Sequence, residues 1–277
     1  MGSCSVTKRW DTEMPEAANQ GVTIKYEVVG QGRPLVLLHG WCCDRTWWTH
    51  SGYVDDLRRD FRVVTMDLRG HGASTKPHSP SAYQADAVIS DVLAVADAEG
   101  LDRFAVWGLS YGGWIGWLTA YAAPERVAAL ISSGSWDPRP ETYEDWKVFD
   151  EGWGAAIRRD GMRGLIDVFK EEDGARYPLE FPAWAEATTL EADPEALLAI
   201  QSRELLADGV PTLDDFPVPV LLIAGELEDE TDDAAAIARI VPRGESLRLP
   251  GLGHGGACAA SSLAVPAARA FLEHWFA

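Results

Sequence analysis

Gly108-Leu109-Ser110-Tyr111-Gly112 fits G-x-S-x-G, a pattern that presents a serine as a nucleophile. Residues 104–107 before it are a short apolar run that reads as a buried strand. Residues 114–123 after it read as a helix, stopped by Pro124. A serine at such a strand-to-helix corner takes a strained backbone conformation, with its hydroxyl pushed out above the sheet edge. Gly108, Gly112 and Gly113 leave the backbone room for so tight a turn. A serine hydroxyl is a poor nucleophile at neutral pH. It needs a neighbouring base, a group that orients the base, and donors for the oxyanion. The chemistry in view is acyl transfer through a covalent serine intermediate.

His254 is the candidate base. It lies in Leu249-Pro250-Gly251-Leu252-Gly253-His254-Gly255-Gly256, a glycine-rich loop after the last predicted strand and before the last helix. Such a loop can carry an imidazole to the sheet edge. The other histidines have plainer readings: His39 and His71 sit in tight turns and bond to backbone, and His50, His78 and His274 lie on the surface. The acid is expected at a strand end between Ser110 and His254. Glu226, Glu228, Asp229 and Glu230 follow the strand 218–224, and Glu228 is the favoured one, with Asp229 second and Asp137 a minor candidate. The oxyanion donors are the backbone N–H groups of Tyr111, directly after the nucleophile, and of Trp41, in the turn after the strand 34–38.

The elements that position these residues alternate. Strands are predicted at 22–27, 34–38, 62–67, 104–107, 127–132, 218–224 and 246–249, and helices at 46–59, 83–99, 114–123, 232–240 and 261–276. Continuous apolar strands between helices indicate a mostly parallel sheet covered on both faces. A hairpin-like pair ending in Gly30-Gln31-Gly32-Arg33-Pro34 is expected to be antiparallel at one edge. The alternation breaks between 136 and 216, a segment rich in aromatics with no convincing strand, which reads as a mostly helical insertion. The expected organisation is an N-terminal extension over 1–20, an α/β core over 21–135 and 217–277, and a helical cap over 136–216. Of the insertion's aromatics, Trp146, Phe149 and Trp184 are expected to line a pocket for an apolar substrate.

The chain has 277 residues and a formal net charge of −19, with 43 acidic against 24 basic side chains. Such a surface repels phosphate backbones and anionic membranes, so neither nucleic acid nor membrane is an expected partner. No apolar run approaches a membrane span, and the N-terminus shows no apolar signal region. Cys4, Cys42, Cys43 and Cys258 form no CxxC, and are read as reduced thiols of a cytoplasmic protein. No metal spacing occurs and no cofactor is expected. Gly251-x-Gly253-x-x-Gly256 formally fits a dinucleotide fingerprint, but too little chain follows it for a βαβ unit.

Four segments together resemble the α/β-hydrolase superfamily: Leu37-Leu38-His39-Gly40-Trp41, Asp67-Leu68-Arg69-Gly70-His71-Gly72-Ala73-Ser74, the elbow at Ser110, and Pro250-Gly251-Leu252-Gly253-His254. The order serine, acid, histidine agrees with it. Relatives usually carry aspartate where this chain has Glu228, so Glu228-Asp229 is inverted in order. The resemblance implies an eight-stranded sheet with an inserted helical cap. It also implies a serine hydrolase acting on a small carboxylic ester or lactone. Sibling reactions on this framework are carbon–carbon bond hydrolysis, acyl transfer and perhydrolysis. Gly40-Trp41-Cys42-x-Asp44 also resembles the turn of cofactor-free dioxygenases acting on quinolone-type heterocycles, for which Asp137 is the nearest available acid. A non-enzymatic receptor for a small ligand is the alternative outside catalysis.

Overall fold

A computed structural model of the chain describes residues 14–135, 150–202, 212–228 and 231–276. Its frame is an eight-stranded sheet in the order β1-β2-β4-β3-β5-β6-β7-β8. The strands are β1 (Glu16–Asn19), β2 (Val22–Val29), β3 (Arg33–Leu38), β4 (Phe61–Met66), β5 (Phe104–Leu109), β6 (Val127–Ser133), β7 (Val220–Gly225) and β8 (Gly244–Leu249). β1 and β2 run antiparallel at one edge, β2 pairs antiparallel with β4, and all other pairings are parallel. The central strands are apolar throughout because helices cover both faces: every residue of β5 and β6 is buried. Alternation along β5 divides the two layers. Val106 faces the helix that follows Ser110, touching Gly116, while Trp107 faces Trp48 and Tyr53 with ring centroids 6.0 and 5.0 Å away.

The helices differ from the sequence expectation in places, each for a local reason. The single helix expected over 46–59 is two short ones, α1 (Trp47–His50) and α2 (Tyr53–Leu57), because Gly52 between them takes a left-handed φ of 86°. The helix α3 spans Ala85–Ala98, and α4 spans Tyr111–Ala122, three residues earlier than its apolar pattern suggests. The strand β1 lies inside the stretch expected to be an extension, and its Ala17 is buried. Between β6 and β7 the described residues form α5 (Ala155–Asp173, interrupted at Gly161), α6 (Ala183–Leu190) and α7 (Pro194–Gln201), with no strand among them. After β7 come α8 (Thr231–Ile240), α9 (His254–Ala259) and α10 (Ser261–Trp275). No described helix is long and apolar enough to cross a membrane.

The segment from Asp67 to Ser74 is a brace. Asp67, fully buried, accepts the N–H groups of Arg45 and Ala73 at 2.9 and 2.8 Å and pairs with the Arg45 guanidinium at 2.8 Å. His39 accepts the Leu68 N–H at Nε2 (3.0 Å) and donates from Nδ1 to the Gly40 carbonyl (2.8 Å). Burial keeps that ring neutral, pushing its pKa down to about 4 even though the Gly40 bond works the other way. His71 is buried beside it and bonds the Arg69 carbonyl at 2.9 Å. Both histidines therefore bond to backbone, tying the turn after β3 to the turn after β4.

Arg69 and Asp91 form a buried bidentate pair, with both contacts at 2.8 Å. Removing the guanidinium strands a buried carboxylate. Arg69→Met should therefore lower the unfolding free energy by about 3–5 kcal/mol in urea titrations.

Candidate active site

Ser110 joins the end of β5 to the start of α4 with φ 49° and ψ −116°. A side chain in that region is strained, and neighbouring strands hold it there. The Ser110 N–H donates to the Ser133 carbonyl at the end of β6 (2.7 Å), and the Ser110 carbonyl accepts from Trp114 (3.0 Å). The flanking glycines serve close approach, since neither takes a positive φ. A Cβ on Gly108 would overlap the Gly112 backbone, and one on Gly112 would overlap the Leu38 carbonyl. A Cβ on Gly113 would come within 2.6 Å of Ser132 Oγ.

His254 is the first residue of α9, so the glycine-rich loop ends at Gly253 and the imidazole leaves from a helix start. Its Nδ1 donates to Glu228 Oε2 at 2.9 Å. The other Glu228 oxygen, Oε1, accepts the Gly225 N–H at the end of β7. The carboxylate is 6% exposed, whereas half of the imidazole side chain faces open space. The ring lies across the end of β6: a Cβ on Gly134, whose φ is 67°, would sit 2.6 Å from His254 Cε1. Gly134 follows Ser133, the residue that accepts the Ser110 N–H, so Ser110 and the imidazole lie at adjoining strand ends. Both line one cavity of about 620 Å³, together with Gly40, Trp41 and Glu228.

The cavity has an aromatic wall and a charged rim. Trp41 stacks on Trp153 at 5.8 Å, and Phe169 meets Trp153 edge-on at 5.0 Å. Trp47, Phe181, Leu109 and Leu227 complete the apolar lining, and Glu172, Asp173 and Arg176 stand at the far end of α5 and just beyond it. Of the aromatics expected to line the pocket, Trp146 and Phe149 lie outside the described residues, as do Asp137 and Asp229. Trp184 stands one layer back from the cavity. It packs edge-on against Trp47 (4.8 Å) and stacks on His50 (5.3 Å), because Trp47 occupies the inner position.

A family described as the alpha/beta hydrolase fold matches residues 33–161. The pimeloyl-acyl-carrier-protein methyl ester esterase of Nitrosomonas europaea is 31% identical over 256 residues, covering 84% of this chain and 92% of that protein. This chain belongs to the α/β-hydrolase family. Epoxide hydrolase 4 of Mus musculus is 31% identical over 130 residues, a match that spans 46% of this chain and only 35% of the mouse protein. The solved structure of a thermophilic esterase from Thermogutta terrifontis superposes with a TM-score of 0.79 at 23% identity, covering 96% of this chain and all of that one, a likeness of fold.

In this α/β-hydrolase the charges around the imidazole act in one direction. Burial alone would pull the His254 pKa down. The hydrogen bond and charge of Glu228 outweigh it, helped by Asp173 and Glu180, and the net shift is upward from 6.5. Two thiols of the cavity stay protonated: a bond to Cys42 and burial raise Cys43, and burial raises Cys258. Neither offers a thiolate to compete with Ser110. The sequence reading missed Trp153, Phe169 and Phe181 as lining residues, although their aromatic character was visible, and it missed Gly134 altogether. Its only signal was a glycine directly at a predicted strand end.

The imidazole titration should have its midpoint above 6.5, and Glu228→Gln should lower it, since burial then acts with less opposition. Histidine-selective NMR on the two proteins measures both midpoints.

Proposed function

We propose that this protein is a serine hydrolase that cleaves a carboxylic ester or lactone of a small, largely apolar substrate through an acyl-enzyme. The observation that carries the reading is the 2.9 Å bond between His254 Nδ1 and the buried Glu228 carboxylate, on a ring that shares its cavity with a serine held at a strained elbow. The bond fixes the tautomer: Nδ1 carries the proton, leaving Nε2 as the acceptor. Ser110 Oγ attacks the carbonyl carbon and its proton passes to His254 Nε2. The carbonyl oxygen becomes an oxyanion, received by the N–H groups of Trp41 and Tyr111. The imidazolium returns its proton to the leaving alkoxide oxygen, and the C–O bond breaks. Water, deprotonated by the same imidazole, then attacks the acyl carbon and releases the acid and Ser110.

The segment 136–216 acts in this reading as a cap that supplies the apolar side of the site through Trp153, Phe169 and Phe181. The esterase named for the Nitrosomonas relative accords with an ester substrate. Chemistry at position 110 argues against epoxides. A serine that opened an epoxide would become an alkyl ether, which offers water no carbonyl to attack. A serine acylated by an ester is hydrolysed readily.

Ser110→Ala should retain the wild-type circular dichroism spectrum and lose at least about a thousandfold in turnover of an activated aryl ester. Undiminished turnover in that variant contradicts the assignment. Glu228→Ala should cost less than Ser110→Ala, because orientation of the base is lost while the base itself remains.

A further inference from the structure

Leu179 and Glu180 invert the ordinary order of side chains. The leucine is 86% exposed and the neighbouring glutamate is 4% exposed. A carboxylate is rarely buried unless something holds it. Here the holder is the backbone ahead of His254: Glu180 Oε1 accepts the Gly253 N–H at 2.8 Å. Oε2 is buried and has no hydrogen-bond partner among the described residues, a costly arrangement for a group kept only for packing. The turn that delivers it is short, with the N–H groups of Leu179 and Glu180 both donating to the Arg176 carbonyl at 2.7 and 3.1 Å.

The glycines around His254 make room for this residue and, at Gly253, for the neighbouring Arg176 as well. A Cβ on Gly253 would lie 2.4 Å from Arg176 Nη1 and 2.6 Å from Glu180 Oε2, one on Gly255 2.9 Å from the Glu180 carbonyl oxygen, and one on Gly256 3.0 Å from Glu180 Cγ. Gly251 differs, with a φ of 70° and open space around it. The spacing Gly251-x-Gly253-x-x-Gly256 therefore has a physical origin unrelated to nucleotides. Its first glycine makes a turn, and the others, with Gly255, form the seat for a side chain arriving from between β6 and β7.

We propose that Glu180 is a positioning residue for His254: it clamps the backbone directly ahead of the imidazole, so that the base is correctly placed only when the segment carrying Glu180 is docked on the core. The inference rests on the reading of His254 as the base. It makes substrate enclosure and assembly of the base one event, since the same segment contributes Phe169, Arg176 and Phe181 to the cavity. The negative charge acts on the ring as well. Glu228 and Asp173 raise the imidazole pKa alongside Glu180, and Glu172, Arg176, Cys42, Cys43 and Cys258 are the other titratable side chains lining the same cavity.

Two variants separate position from charge. Glu180→Gln keeps an acceptor for the Gly253 N–H and removes the charge, while Glu180→Ala removes both. Histidine-selective NMR should show the His254 midpoint moved to lower pH in both variants. On an activated aryl ester the acid limb of kcat/KM should move with it, because the base works in its neutral form. Glu180→Ala should lose about 10- to 100-fold in kcat with little change in KM, and Glu180→Gln should recover most of that loss. A wild-type kcat in Glu180→Ala, or a Glu180→Gln as impaired in kcat as Glu180→Ala, overturns the proposal. Full turnover in Ser110→Ala would instead overturn the serine mechanism, while the NMR titration would still read Glu180.

Discussion

At the end of β5 the backbone must turn through a conformation that serine avoids when free, φ 49° and ψ −116°, at a cost of about 1–3 kcal/mol. The surrounding sheet imposes it. The Ser110 N–H is held by the Ser133 carbonyl of the next strand, and the helix beyond begins at once, with its first glycine, Gly112, packed directly on the backbone of Leu38 and His39. Everything else at the site is placed relative to that corner. The turn after β3, which carries Trp41, comes close enough for a Cβ on Gly40 to lie 3.6 Å from Ser110 Cβ. The imidazole crosses the end of β6 over Gly134, the only residue type whose missing side chain leaves it room.

Two devices hold the rest of the site against this corner, and they differ in kind. On one side the brace of Asp67, Arg45, His39 and Leu68 ties the turn carrying Trp41 to its neighbour through hydrogen bonds internal to the sheet's loops. On the other side His254 is oriented by Glu228 from the end of β7 and flanked by Glu180 from the segment between β6 and β7. The second device joins side chains from two separate parts of the chain to the backbone and ring at 253–254. Ser110 is thus fixed by the sheet itself, whereas His254 is held from two separate segments, through Glu228 and through the Gly253–Glu180 bond.

The sheet was legible because its strands are continuous apolar runs; residues 35–38, each fully buried, announce a covered central strand from composition alone. β1 was not legible, since Glu-Ala-Ala-Asn carries one buried position and no run to recognise. The helix expected over 46–59 failed at Gly52, where an apolar period continues across a residue that reverses the backbone. Ser110, His254 and Glu228 could be nominated because each stands beside glycine at a strand end, a pattern that local sequence displays. The cavity wall could not. Trp184 and Trp153 belong to equally aromatic stretches, and only packing decides that Trp47 shields the first from the cavity while Trp41 stacks on the second. Glu180 was invisible for the same reason, as its partner is a backbone N–H 73 residues away.

The central claim is that Ser110 becomes covalently acylated. Rapid acid quenching of the protein during turnover of a slow activated ester, followed by peptide mass spectrometry, tests it most directly. The account predicts one acyl mass on the peptide containing Ser110, formed within a single turnover and lost as product appears. Product formation with an unmodified Ser110 at every time point, or an acyl group carried by another residue at the rate of turnover, would contradict it.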